Sequence, residues 1–341
     1  MATVTPPATA WHLNPHEKQC QLIECEADIA VYGGAAGSGK SHALLAEPIC
    51  RGLHEIPGFS AVIFRRTSKQ VREAGGLWDK ACEIYPNVGG VAHVGDLEYR
   101  FPSGAKIAFR HVEHEQDKHN YAGSEICYLG FDELYHFTES QFLFLTSRNR
   151  STCGVRPYIR ATTNPDPGWL RKFLAPWVHD EWPGERFKSG EIKWFVRDRG
   201  EIRWVDDGTP FSKSMTFIAA RLEDNPTLNE DPNQDYRTTL LALPPVEQQR
   251  LLYGNWNVRE EGLVYPEFVD CLVEAESRPE TPDIGGMDFG VRNPFVALWG
   301  YEDHDGVMWI TECYYRRDLT IPEHSAKLPK GIRWWCDPAG A

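Results

Sequence analysis

The stretch from Ala27 to Leu45, A-D-I-A-V-Y-G-G-A-A-G-S-G-K-S-H-A-L-L, constrains this chain more than any other. From Gly34 it spells G-x-x-x-x-G-K-S, ending in Gly39, Lys40 and Ser41. A turn rich in glycine (Gly34, Gly37, Gly39) leaves backbone N–H groups free to surround phosphate oxygens. Lys40 adds a positive charge, and Ser41 offers a hydroxyl to Mg²⁺. Ile29 to Tyr32 is an apolar, strand-like run, and His42 to Cys50 opens with good helix formers, so a phosphate would sit at the N-terminus of that helix. A glycine-rich loop that only turns the chain does not account for the strand, the spacing, Lys40 and Ser41 together.

A second stretch, I-C-Y-L-G-F-D-E-L-Y-H-F at Ile126 to Phe137, reads as an apolar strand ending in Asp132-Glu133. An Asp there holds the Mg²⁺ water shell, and the Glu after it polarises an attacking water. Asp132 follows Lys40 by 92 residues, which leaves room for several strand–helix units. Two further strand ends bear on the same edge. Ser60 to Phe64 runs into Arg65-Arg66, which serve phosphate or DNA, or simply solvate the edge of an open α/β sheet. Tyr158 to Thr162 runs into Thr163 and Asn164, whose polar groups, with Thr162, sense a γ-phosphate or its attacking water, or form an ordinary turn before Pro165. Upstream, Gln19 is a candidate for adenine contact, or an exposed helix residue.

The 341 residues suit two domains. With 41% hydrophobic and 25% charged residues, no long apolar run and a polar start, the chain reads as soluble, with no membrane partner and a cytoplasmic location. Nine cysteines without a C-x-x-C pair indicate neither zinc nor a disulfide framework. A net charge of −13 argues against coating nucleic acid by bulk attraction and leaves local DNA contact open. His111, His114 and His119 read as part of a solvated loop.

Leu97 to Phe101 and Ala105 to Val112 form a hairpin around P-S-G, and a Trp-rich hairpin turns at Arg199-Gly200. That second hairpin packs its Trp face inward, or offers Lys193, Arg197 and Arg203 to a nucleic-acid strand. Met215 to Ala220 is one more strand. Helical segments at Asp231 to Leu243 and Val246 to Tyr253 would close over a nucleotide as a lid, and Arg259 to Pro282, rich in Glu and Pro, reads as a linker. Beyond it lie four strand candidates, Ile284 to Phe289, Phe295 to Tyr301, Val307 to Tyr315 and Ile332 to Cys336. Asp288 lies in the first and Asp337 follows the fourth. If those strands are adjacent, the carboxylates converge as a two-metal phosphodiester site requires; otherwise one caps a strand and the other begins a turn.

The succession G-G-A-A-G-S-G-K-S, F-D-E-L-Y-H-F-T-E-S-Q-F, A-T-T-N-P, R-L-E-D-N-P and L-L-Y-G-N-W resembles the large terminase subunit of tailed bacteriophages, from about residue 15 to the end. The resemblance implies an N-terminal arm (1–26), a RecA-like P-loop ATPase domain (27–220), a helical lid (221–258), a linker (259–282) and a ribonuclease-H-like nuclease domain (283–341). By matching positions, ATP would bind Gly34, Gly37, Gly39, Lys40, Ser41 and Asp132, with Gln19, Thr163 and Asn164 nearby. Ser41 and Asp132 would hold Mg²⁺, and Glu133 would be the base. Asp288 and Asp337 would hold Mg²⁺ or Mn²⁺ at the nuclease centre. The resemblance further implies an arginine reaching a phosphate, for which Arg65, Arg66, Arg148 and Arg150 compete.

The implied activity is ATP-driven packaging of double-stranded viral DNA into a procapsid, coupled to cutting of concatemers. The implied partners are DNA, a small terminase subunit, the portal protein and further copies in a ring, in the host cytoplasm. A nuclease of this type needs another carboxylate after Asp337, so the sequence ending at Ala341 reads as a cut-short nuclease that cleaves plasmid DNA poorly. Another RecA-like DNA motor, or a truncated non-catalytic assembly component, are the alternatives.

Overall fold

The computed structural model describes residues 13–180, 182–198, 200–230, 233, 235–258, 271, 281–289, 294–317 and 319–336. The chain divides into two compact units, Met1–Glu261 and Gly262–Ala341.

The first unit is built on one ten-stranded sheet. Its strands are β1 (Ile29–Gly34), β2 (Ser60–Arg65), β3 (Val91–His93), β4 (Glu98–Arg100), β5 (Lys106–His111), β6 (Tyr128–Phe131), β7 (Tyr158–Thr163), β8 (Lys193–Asp198), β9 (Glu201–Val205) and β10 (Lys213–Ala220). Their order is β3-β4-β5-β2-β6-β7-β1-β10-β8-β9. The central run from β5 to β10 is parallel throughout. Every residue of β1 and of β7 is buried, as expected for parallel strands covered on both faces. The mixed α/β fold implied by the sequence is therefore observed.

The two expected hairpins close the sheet at its ends. β4 and β5 pair antiparallel with Arg100 opposite Lys106, and β8 and β9 pair with Trp194 opposite Val205. Trp204 packs edge-on against Trp177, Phe187 and Phe195, so the Trp-rich hairpin turns that ring inward.

Two helices flank the glycine turn, α1 (Glu17–Ile23) and α2 (Lys40–Cys50). Pro48 lies inside α2 and has no N–H to donate to the Leu44 carbonyl four residues back. The Tyr128 hydroxyl donates to that carbonyl instead, at 2.8 Å. After β10 the chain forms a helix at Asp235–Leu241, then a short turn at Pro245–Glu247 that widens into a π-helical stretch, Gln248–Leu252. The first helix read from sequence thus ends at Leu241 rather than Leu243, and the second spans 245–252 with its later part widened.

The second unit contains β11 (Ile284–Asp288), β12 (Phe295–Glu302), β13 (Met308–Arg316) and β14 (Arg333–Cys336), in the order β13-β12-β11-β14. β11, β12 and β13 form an antiparallel meander, and β14 lies parallel to β11 with Cys336 opposite Met287.

The largest core of the first unit gathers around Phe131, whose ring meets Phe64, Phe137 and Phe142 within 6 Å. Replacing it by Ala leaves a cavity that close-packed neighbours fill only in part. Phe131→Ala should lower the stability of this unit by about 3–5 kcal/mol in urea unfolding.

Candidate functional site

The carboxyl ends of β1, β6, β7 and β2 bring the sequence-marked residues to one edge. β1 delivers the glycine turn. Gly37 and Gly39 have φ of 77° and 72°, a conformation that glycine takes without Cβ strain. A Cβ on Gly37 would stand 2.5 Å from Tyr236 Cε1, so that glycine also permits a close approach, while one on Gly39 would meet the movable end of Gln19, at 2.6 Å from Nε2. Gln19, on α1, donates to the Gly39 carbonyl at 3.0 Å. On this side of the turn a cleft of about 520 Å³ opens, lined by His16, Gln19, His42, Asn225 and Thr227 among others.

α2 starts at Lys40, so its first turn faces the loop. Lys40 Nζ folds back to donate to the Ala35 carbonyl at 2.5 Å. Burial pushes its ammonium down from 10.5 to about 8, against the raising pull of Asp132 and Glu133.

Asp132, just past β6, has no exposed surface and is held from three sides. Ser41 Oγ donates to Oδ1 at 2.9 Å and Thr162 Oγ1 donates to the same oxygen at 2.7 Å. Arg65 Nε, at the end of β2, forms an ion pair with Oδ2 at 2.9 Å. Arg65 spans both acids, since its Nη2 lies 3.0 Å from Glu133 Oε1. His136 Nδ1 approaches the other Glu133 oxygen at 3.2 Å. Burial raises the Glu133 carboxyl pKa, but the His136 hydrogen bond, Arg65 and Lys40 outweigh it and leave it below its ordinary value.

The backbone of Glu133 is left-handed, with φ of 58°, which costs of order 1–3 kcal/mol in a residue that is not glycine. Its N–H donates to Thr162 Oγ1 at 2.9 Å, which fixes that strained corner.

β7 lies between β1 and β6, so Thr162 stands between the phosphate loop and the acidic pair. Sequence reasoning placed Thr162, Thr163 and Asn164 here as a group, and the structure separates them. Thr162 touches both acidic residues, whereas the Thr163 hydroxyl donates to the Asn164 carbonyl at 2.8 Å.

The four competing arginines also separate. Arg65 is in the site. Arg66 donates to Gln141 Oε1, Arg148 to the Ala122 carbonyl, and Arg150 to the Gly123 carbonyl at 3.3 Å. Among the described residues, His111, His114 and His119 join no group close enough to hold a metal ion.

The segment after β10 packs directly on the glycine turn. Ala36 N–H donates to the Leu251 carbonyl at 2.6 Å, and Asn225 Nδ2 donates to the Gly37 carbonyl at 2.6 Å. Leu222, Leu240 and Leu252 form a small core that includes Ala36 and Tyr236. Sequence reasoning did not mark Tyr236 or Leu251; an aromatic on a short helix carries no signal of which loop it will cover.

The arrangement suits a polyphosphate with a divalent cation. Ser41 Oγ and the Asp132 carboxylate are oxygen donors only, as Mg²⁺ prefers, so the donor set fits that ion. In the second unit, β11 and β14 are adjacent and parallel, as convergence of the second acidic pair requires. Asp288 is exposed at the end of β11, and Asp337 lies outside the described residues.

The family model for the N-terminal part of the T4likevirus-type terminase large subunit matches residues 31–268. The large terminase of a thermophilic bacteriophage is similar in fold, with a TM-score of 0.52 at 16% identity over 96% of this chain and 78% of that one. The large terminase of bacteriophage HK97 gives 0.49 at 11% identity, over 89% of this chain and 63% of that one. The ATPase domain of the Thermus phage P74-26 large terminase gives 0.43 at 15%, over 71% and 94%. No curated protein matches this chain in sequence.

Because burial depresses the Lys40 pKa, the unfolded chain binds this proton more tightly than the folded one between about pH 8 and 10.5. The Lys40 contribution to stability therefore rises with pH across that window. In urea unfolding at pH 7.5 and 10, Lys40→Met should gain stability relative to the unsubstituted protein at the lower pH and lose that advantage at the higher one.

Proposed function

Because this chain belongs to the T4-type large terminase family, we propose that it is the ATP-hydrolysing motor that packages double-stranded viral DNA into a procapsid. The observation that carries the reading is the convergence of Lys40, Ser41, Asp132 and Glu133 on one sheet edge, around the carboxylate of Asp132.

In this reading the amides of the glycine turn and Lys40 bind the β- and γ-phosphates of ATP, and Gln19 lies on the side where the base enters the cleft. Lys40 leaves the Ala35 carbonyl to do so, which exchanges one hydrogen bond for a charge-assisted contact. Ser41 and Asp132 would hold Mg²⁺, which when bound neutralises charge on the transferring phosphoryl group. Glu133 orients and deprotonates the attacking water. Its pairing with Arg65 and His136 makes it a weak base, so turnover requires that pairing to loosen.

Arg65 is well placed to follow either the carboxylates or the γ-phosphate, and is our choice among the four arginines for a phosphate contact within one subunit. Thr162, with Thr163 and Asn164 behind it, would report the state of the phosphate to the rest of β7. The helical segment 221–258 acts as a lid, because its contacts with Ala36 and Gly37 tie its position to that of the phosphate loop.

DNA would be gripped through its phosphates, since a packaging motor must accept any sequence. A small terminase subunit, the portal protein and further copies of the chain in a ring are the partners this role requires, and the host cytoplasm is its setting.

For the second unit we propose a ribonuclease-H-like nuclease that cuts concatemeric DNA. The antiparallel meander with a fourth strand parallel to the first supports it, as does Asp288 at the end of β11. Asp288 and Asp337 would hold Mg²⁺ or Mn²⁺ there, which when bound stabilise the attacking and leaving oxygens of the phosphodiester.

ATP turnover should be stimulated by double-stranded DNA and should fall by about 10²- to 10⁴-fold in Glu133→Gln, with Lys40→Ala comparably inactive. Unchanged turnover in both variants would remove the motor reading. Any metal-dependent nicking of supercoiled plasmid should be lost in Asp288→Ala while ATP turnover persists; nicking that survives the substitution would remove the nuclease reading.

A further inference from the structure

Below the nucleotide edge, the middle of the first unit hides a second polar cluster. Glu47 on α2 has no exposed surface, and Arg160 on β7 is 1% exposed. Arg160 Nε lies 3.5 Å from Glu47 Oε1. The Tyr158 hydroxyl donates to Glu47 Oε2 at 2.7 Å, and Arg51 Nη1 donates to Oε1 at 3.2 Å. The rest of the Arg160 guanidinium donates to main-chain carbonyls, at 3.0 Å to Ala27 and 2.5 Å to Cys25, in the segment that enters β1.

A buried ion pair is a poor source of stability, because desolvating two charges offsets most of their attraction, and an apolar pair of the same volume often does as well. Its location suggests a different use. Glu47 lies seven residues after Lys40 on α2, about 10 Å along the helix axis. Arg160 precedes Thr162 by two residues on β7, so the two side chains share a face of the strand.

α2 and β7 are thus joined twice. At the nucleotide end Ser41 and Thr162 both bond Asp132 Oδ1, and at the far end Glu47 meets Tyr158 and Arg160. The far join also reaches the root of β1. It therefore links the three elements whose ends carry the phosphate loop, the Ser41 cation ligand and the hydroxyl that holds Glu133.

Resting on the ATPase reading above, we infer that the buried Glu47–Arg160 pair, with Tyr158, is a positioning device for hydrolysis: it fixes how far β7 stands along α2, and so where Thr162 holds Asp132 and the backbone of Glu133. The pair touches no substrate. Loosening it lets Thr162 shift against Ser41, which moves the base while leaving the phosphate loop and the base cleft intact.

Two variants of the intact chain test this, Glu47→Gln, which keeps the shape and removes the charge, and Tyr158→Phe, which removes one hydrogen bond. A core control, Leu53→Ala, lies outside the cluster. For Glu47→Gln, kcat for ATP should fall by about 10- to 100-fold, as expected for a sub-ångström misplacement, while KM and nucleotide Kd stay within about twofold. Tyr158→Phe should show the same split more weakly, and decides the matter if Glu47→Gln does not fold. Leu53→Ala should keep kcat at temperatures well below its Tm.

Amide exchange at Glu133 gives a second readout that needs no turnover. Its N–H donates to Thr162, so its protection should drop in Glu47→Gln and not in the control. An unchanged kcat with unchanged Glu133 protection, or a loss expressed in KM alone, or an equal loss in the control, overturns the inference. If the unsubstituted protein hydrolyses no ATP yet Glu133 protection still drops in Glu47→Gln, the ATPase reading fails and the mechanical link stands.

Discussion

The buried carboxylate of Asp132 is the point on which the rest of the site depends. An ionised carboxylate with no exposed surface is unfavourable unless donors surround it, and here Ser41, Thr162 and Arg65 do so. Each donor arrives from a different element: Ser41 from α2, Thr162 from β7 and Arg65 from β2. Meeting the needs of one charge therefore ties α2 to two strands, β2 and β7, whose own register the sheet already sets.

The strand order makes this convergence available. Because β7 is inserted between β1 and β6, the loop that cradles a phosphate and the acid pair that handles water are one strand apart, with a hydroxyl between them. If β1 and β6 were adjacent, Thr162 could not reach both Asp132 and the Glu133 N–H. Parallel strands place all these ends on one edge, where the loops that follow are free to carry side chains of unusual geometry, such as the left-handed Glu133.

Much of this was legible in the sequence because it is local. The glycine turn, the apolar run before it and the helix formers after it are contiguous, and the Asp132-Glu133 pair ends an apolar run of its own. The strands β1, β2, β6, β7 and β10 followed from the same short-range patterns, as did the hairpin at P-S-G and the antiparallel pairing of β8 with β9. What was not legible is long-range. Nothing in R-R-T-S says that Arg65 turns to the acids while Arg66 turns to Gln141, 75 residues away. Thr162 and Thr163 look alike in the sequence, and only the alternation of a strand whose register is set by its neighbours separates them. Glu47 and Arg160 are polar residues in apolar stretches, a pattern that marks them as unusual without naming the partner. The break at Pro244-Pro245 was legible because proline marks it, whereas the widening of the following helix into a π-helical stretch at Gln248–Leu252 has no local signal.

The central claim is that Lys40 and Glu133 address the same triphosphate across Asp132. A crystal structure of this chain with Mg²⁺ and a non-hydrolysable ATP analogue tests it most directly. The account predicts Lys40 Nζ on the phosphates rather than on the Ala35 carbonyl, Ser41 and Asp132 at the metal ion, and Glu133 facing the γ-phosphate. An analogue bound elsewhere, with Lys40 still on Ala35 and the acid pair facing no phosphate, would contradict it.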